Sequence, residues 1–144
     1  MKNKGFTLIE IVVVATIISL LASVGLVTYG QFTKQSRDAK RKADMEVIRG
    51  AVEIYRSNND TYPDAVTPGG SICDPGGCSS TSTYIQKVPS DPKASTLTYY
   101  YTKISATDYT VGAYLEGGGS GACGNCSVSG TVVCNYCLGP YGEK

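Results

Sequence analysis

The chain has 144 residues, of which 42% are apolar, with 13 basic and 12 acidic side chains for a formal charge of +1 and no histidine. That length leaves room for one folded domain once any membrane segment is set aside. Near-neutral charge gives no general attraction to nucleic acid. The lack of histidine closes off Ser–His and Cys–His catalysis and removes the commonest metal ligand. No phosphate-binding loop or paired-acid motif is present, so the composition points away from an enzyme.

The N-terminus opens with a short leader, residues 1–5 (MKNKG), carrying Lys2 and Lys4. Phe6-Thr7-Leu8-Ile9-Glu10 follows, and residues 11–33 hold no charged side chain. Those positions, at about 1.5 Å each, make a helix of roughly 34 Å, enough to cross a bilayer. The apolar run is too long for the core of a cleavable signal peptide, and no A-x-A site follows it. Glu10 is the odd residue, because a carboxylate near hydrocarbon costs at least about 2.5–3.5 kcal/mol unless paired or protonated.

With Gly5-Phe6-Thr7-Leu8-Ile9-Glu10 in place, the chain resembles the type IV pilin and pseudopilin family at every position of the prepilin motif. The resemblance implies that a prepilin peptidase cuts between Gly5 and Phe6 on the cytoplasmic side and N-methylates Phe6. The apolar segment, residues 6–33, then stays on the mature protein as a membrane helix before assembly and a filament core afterwards. Removing the leader leaves 11 basic against 12 acidic side chains (13 − 2 = 11). The family further implies copies of the same chain in a helical filament and an inner-membrane assembly platform as partners. In that setting the Glu10 carboxylate pairs with the amino group of Phe6 on a neighbouring subunit and sets the register, since an unpaired charge in a dry core is heavily penalised. Lys34, Arg37, Lys40, Arg41 and Lys42 outnumber the leader lysines, so a charge count alone would put the C-terminal side in the cytoplasm. The resemblance implies the reverse, with the N-terminus cytoplasmic. Many family members carry a proline within the hydrophobic helix; here only Gly25 and Gly30 interrupt its second half.

Residues 34–60 turn amphipathic. Met45, Ile48, Ala51, Val52 and Tyr55 recur at helical spacing, with Val47 and Ile54 widening the stripe. Glu46, Arg49, Glu53 and Arg56 fill the polar face, and Glu53 with Arg56 forms an i,i+3 pair. The helix should stop within Ser57-Asn58-Asn59-Asp60, ahead of Pro63.

Residues 61–144 form the C-terminal globular part. It has a loop at 64–83, β-rich runs at 97–102 and 109–115 around a Ser-Ala-Thr-Asp turn, and a Cys-rich region at 117–144. Residues 131–134 read as a third strand and 139–144 as a loose tail. Two strands alone are marginal, so the fold expected is α+β: a long N-terminal helix packed on a small antiparallel sheet, as in pilins. With no Trp, two Phe and eleven Tyr, so small a core calls for covalent staples, and six cysteines can supply them.

Cys73 and Cys78 bracket one glycine loop, and Cys123-x2-Cys126 faces Cys134-x2-Cys137. An exported domain makes disulfides the default: a local 73–78 bridge, with the other four crossing between the pairs. The alternative is a four-cysteine zinc site at Cys123, Cys126, Cys134 and Cys137 in a membrane-anchored module, although the seven residues between the pairs are short for a zinc ribbon. A thioredoxin-like redox centre is disfavoured, since neither pair opens a helix. No cofactor is expected. The major-pseudopilin branch of the family often carries a calcium loop rich in aspartates, whereas the stretch after Leu115 is Glu116-Gly-Gly-Gly-Ser-Gly with a single acid. The first reading is therefore the structural subunit of a type IV pilus, extracellular once assembled. The alternative is the major pseudopilin of a type II secretion system, within the cell envelope.

Overall fold

The computed structural model describes residues 5–79 and 81–144; leader residues 1–4, which include Lys2 and Lys4, and residue 80 lie outside the described residues. The chain falls into two compact units, Met1–Ser36 and Arg37–Lys144. One helix, α1, Leu8–Asn59, runs for 52 residues through both sequence ranges. It ends where expected: Asp60 adopts φ 55° and its N–H donates to the Arg56 carbonyl at 2.8 Å, closing the last turn in the left-handed conformation common at helix C-termini.

In the first unit most of the described helical side chains are exposed. Leu8 is 82% exposed, and Ile11, Ile18, Leu21, Val24 and Phe32 are all more than half exposed. An 18-residue window of α1 reaches a mean hydropathy of 2.6 with none of it buried. Five hydroxyls in this stretch are satisfied internally. Thr16, Ser19, Ser23, Thr28 and Thr33 donate to the carbonyls of Val13, Ala15, Leu20, Val24 and Tyr29 at 2.7–2.9 Å. Spending these hydroxyls on the helix's own backbone lowers the polarity of that surface, which suits lipid or a dry bundle. The helix runs unbroken through Gly25 and Gly30.

The second unit is built on the other half of α1. Met45, Ile48, Ala51, Val52 and Tyr55 are buried as the 3.6-residue spacing expects, and they pack with Tyr62, Ile72, Val88, Tyr99, Tyr109, Val111, Ala113 and Leu138. Val47 and Ile54 do not widen the stripe; they are 51% and 54% exposed on the outer face. The Glu46–Arg49 pair forms at 3.4 Å. Glu53 instead accepts from the hydroxyls of Tyr62 at 3.2 Å and Tyr109 at 3.1 Å, and Arg56 donates to Tyr62. Two buried phenols offer that carboxylate better-desolvated partners than a mobile arginine does.

Against this helix face lies a four-stranded antiparallel sheet. Its order is β3 (Tyr100–Lys103), β4 (Tyr109–Ala113), β5 (Tyr136–Gly139), β6 (Gly142–Glu143). The β3–β4 hairpin is the expected one, with Tyr101 opposite Val111, and turns over Ser105–Asp108, whose backbone closes at 2.9 Å. The third strand lies at 136–139 rather than 131–134, and the tail is not loose: β6 pairs with β5, and Lys144 N–H donates to the Cys137 carbonyl at 3.0 Å. Within the 64–83 loop a small ladder, β1 (Ile72–Cys73) with β2 (Thr83–Ile85), closes around the first cystine. The fold is α+β, as the patterning implies.

All six cysteines are oxidised: Cys73–Cys78, Cys123–Cys137 and Cys126–Cys134. The 73–78 bridge is local and the other four cysteines pair across the two C-x2-C motifs, in a nested order that spacing alone leaves open. The zinc alternative at Cys123, Cys126, Cys134 and Cys137 is overturned, because a sulfur committed to a second sulfur has no thiolate to give a metal. The knot sits on the centre of the sheet. A Cβ at Gly112 in β4 would lie 2.8 Å from Cys123 Sγ, so only glycine lets the cystine approach the strand.

Candidate functional site

Gly5, Phe6 and Glu10 come together at the start of α1. Phe6 is 83% exposed, and a Cβ on Gly5 would meet nothing within 4 Å, so local packing does not demand glycine there. Glu10 closes the helix start on Thr7. Its Oε2 accepts from Thr7 N–H at 2.8 Å and from Thr7 Oγ1 at 2.7 Å, while Thr7 Oγ1 accepts from Glu10 N–H at 3.4 Å. This reciprocal pair is a capping box, which satisfies N–H groups that the first turn leaves without helical partners. The spacing Thr-x-x-Glu is its sequence signal, and reading Glu10 only as an intersubunit acid passes over it. Chemically the site offers an exposed aromatic, a carboxylate aimed at the chain's own helix start, and no nucleophile–base pair.

The second unit holds a separate ionic cluster that sequence spacing did not reveal. Arg41 is fully buried and binds Asp91 through Nε at 2.7 Å and Nη2 at 3.0 Å. Its Nη1 reaches Asp38 at 2.8 Å and Glu116 at 3.1 Å. Arg37 forks onto Glu116 at 2.6 and 2.7 Å, and Lys93 Nζ meets the same carboxylate at 2.8 Å. The Arg37 guanidinium, with help from Lys93 and Arg41, holds the Glu116 carboxyl well below the usual range. Burial would push the Arg41 guanidinium down, but its hydrogen bonds to Asp91, Glu116 and Asp38 outweigh that and leave it firmly charged. The basic run after the apolar helix is thus partly neutralised by folding: Arg37 and Arg41 are matched by acids up to 79 positions away.

Residues 1–26 match the family model for the prokaryotic N-terminal methylation motif. The chain is similar to the type IV major pilin protein PilA of Myxococcus xanthus, at 32% identity over 63 residues covering 44% of this chain and 29% of that protein. It is similar to the type II secretion system core protein G of Pseudomonas aeruginosa, at 34% identity over 62 residues covering 43% of this chain and 44% of that protein. The methylation motif and these relatives support the type IV pilin and pseudopilin family for this chain. A longer alignment joins this chain to the type II secretion system core protein G of Vibrio cholerae, 27% identical over 83% of this chain and 87% of that one. The matched stretches span less than half the length of the Myxococcus and Pseudomonas relatives. No solved structure matches the chain. An exposed apolar helix behind the methylation motif fits anchoring in a membrane before assembly.

Proposed function

We propose that the chain is the structural subunit of a type IV pilus, with no catalytic step of its own. Prepilin peptidase removes residues 1–5, Phe6 becomes the methylated N-terminus, and residues 6–33 pass from the bilayer into the filament core on an inner-membrane assembly platform. The N-terminus starts cytoplasmic, and the folded unit ends outside the cell. The observation that carries this reading is the largely exposed apolar half of α1 with one acid in its first turn. Such a surface is stable only in lipid or against copies of itself. Glu10 serves the chain's own helix start as a capping residue and, on assembly, meets the amino group of Phe6 on a neighbour. A misaligned subunit leaves that charge unpaired in a dry core. The three disulfides fit a folded unit that works outside the cytoplasm, where oxidised small domains persist.

The second reading, a major pseudopilin of a type II secretion system, is favoured by the alignment that covers 87% of the Vibrio cholerae core protein G. Electron microscopy of surface filaments, combined with deletion of this chain, separates the two. The pilus reading expects filaments containing this subunit that disappear on deletion, with protein secretion intact. Loss of secretion with no surface filament would favour the pseudopilin.

A further inference from the structure

The pseudopilin branch raises a structural calcium ion in the loop that follows the strand ending near Leu115. The side chains in this chain do not fit one. Asp38 from α1, Asp91 from the loop after β2 and Glu116 after β4 do converge, but every carboxylate oxygen already faces a donor. Asp38 accepts from Arg41 and from the backbone N–H groups of Glu116 at 2.9 Å and Gly117 at 2.7 Å. Asp91 accepts from Arg41 twice and from Lys93 N–H at 2.7 Å. Glu116 accepts from Arg37 twice, from Arg41 and from Lys93. Three cations, Arg37, Arg41 and Lys93, balance three acids, which leaves no excess negative charge to draw a divalent ion. Calcium asks for roughly six to eight oxygen ligands and a net acidic site. Among the described residues no group of three or more His, Cys, Asp or Glu could hold a metal ion.

We propose that Arg41 is the built-in cation of this unit: its guanidinium fastens α1, the 91–93 segment and the turn after Leu115 together, in the role a divalent ion would otherwise fill, and makes the fold independent of calcium. Three features carry this. The guanidinium is wholly buried, it touches carboxylates 3, 50 and 75 positions away in sequence, and its planar fork supplies directed donors that an ammonium lacks. Gly117 belongs to the same device. A Cβ there would sit 3.2 Å from Asp38 Oδ2, so glycine lets the turn's N–H reach the acid. The inference does not rest on the filament reading and holds equally for a pilus subunit or a pseudopilin.

The test uses the full chain in detergent, followed by thermal unfolding with excess EDTA, with millimolar calcium, and with neither. The expected result is one Tm within about 1 °C across all three. Arg41→Met should lower Tm by more than about 10 °C, and Arg41→Lys should restore only part of that loss. A fall of several degrees in EDTA, a rise in calcium, or an Arg41→Met chain that melts with the wild type would each overturn the proposal. Because the chelator melt needs no variant, it decides the matter even if Arg41→Met does not fold.

Discussion

Thr7 and Glu10 hold each other at the first turn of α1, with Thr7 N–H and Oγ1 donating to one Glu10 carboxylate oxygen at 2.8 and 2.7 Å. Glu10 therefore has a structural partner in its own chain as well as the intersubunit partner proposed above. The two roles separate by substitution, because glutamine also closes a capping box but carries no charge. Glu10→Gln should keep the helix content of the detergent-solubilised monomer and abolish most filament yield. Glu10→Ala should lose filaments and also fray the first turn, at a cost of about 0.5–2 kcal/mol. Normal filament yield from Glu10→Gln would show that the charge does not set register.

The Asp91 carboxylate is 1% exposed and takes two hydrogen bonds from a guanidinium that is 0% exposed. Asp91→Ala should destabilise the folded unit by about 3 kcal/mol, the low end for a broken buried pair because Asp38 and Glu116 still face Arg41. Denaturant unfolding of the two chains side by side reads this. A loss under about 1 kcal/mol would mean the cluster is not a unit.

Acid should unfold the second unit along a limb set by Glu116. Its carboxyl is depressed from an ordinary value of 4.5, chiefly by Arg37, so the unfolded chain takes up the proton first. The stability it contributes is fully present above pH about 5 and is lost as pH falls below the ordinary carboxylate range. Glu116→Gln should lower stability at pH 7 and flatten the acid limb; an unchanged pH profile would contradict this.

The cystines should differ in both accessibility and weight. Cys126, Cys134 and Cys137 are buried at 0–1% exposure, whereas Cys78 is exposed. Mild reductant should open Cys73–Cys78 first, as non-reduced peptide mapping with thiol alkylation would show. Replacing Cys123 and Cys137 by serine should cost about 3 kcal/mol, against about 2 for the 73–78 pair, because the closed loops span 14 and 5 positions.

Residues whose partners lie close in sequence were legible. The stripe from Met45 to Tyr55, the stop at Asn59 and the local 73–78 bridge follow from helical period, cap chemistry and close cysteine spacing, whereas which cysteine of one C-x2-C pair meets which of the other does not. Val47 and Ile54 misled because an apolar side chain states a preference for burial without naming a partner, and the sheet covers only one side of the helix. Residues 131–134 read as a strand by composition, yet Cys134 is tied to Cys126, and pairing with β4 begins only at Tyr136. Of the acids on Arg41 only Asp38 lies within a local pattern; Asp91 and Glu116, which make the site a cluster, stand 50 and 75 positions away, a distance no local pattern spans.

The central claim is that this chain is cut after Gly5 and built into a filament by the helix that cut leaves behind. Mass spectrometry of subunits from sheared, purified surface filaments tests it most directly. The account predicts an N-terminus at N-methylated Phe6, with all six cysteines paired. Filaments without this chain, or a chain that still carries residues 1–5 within them, would contradict it.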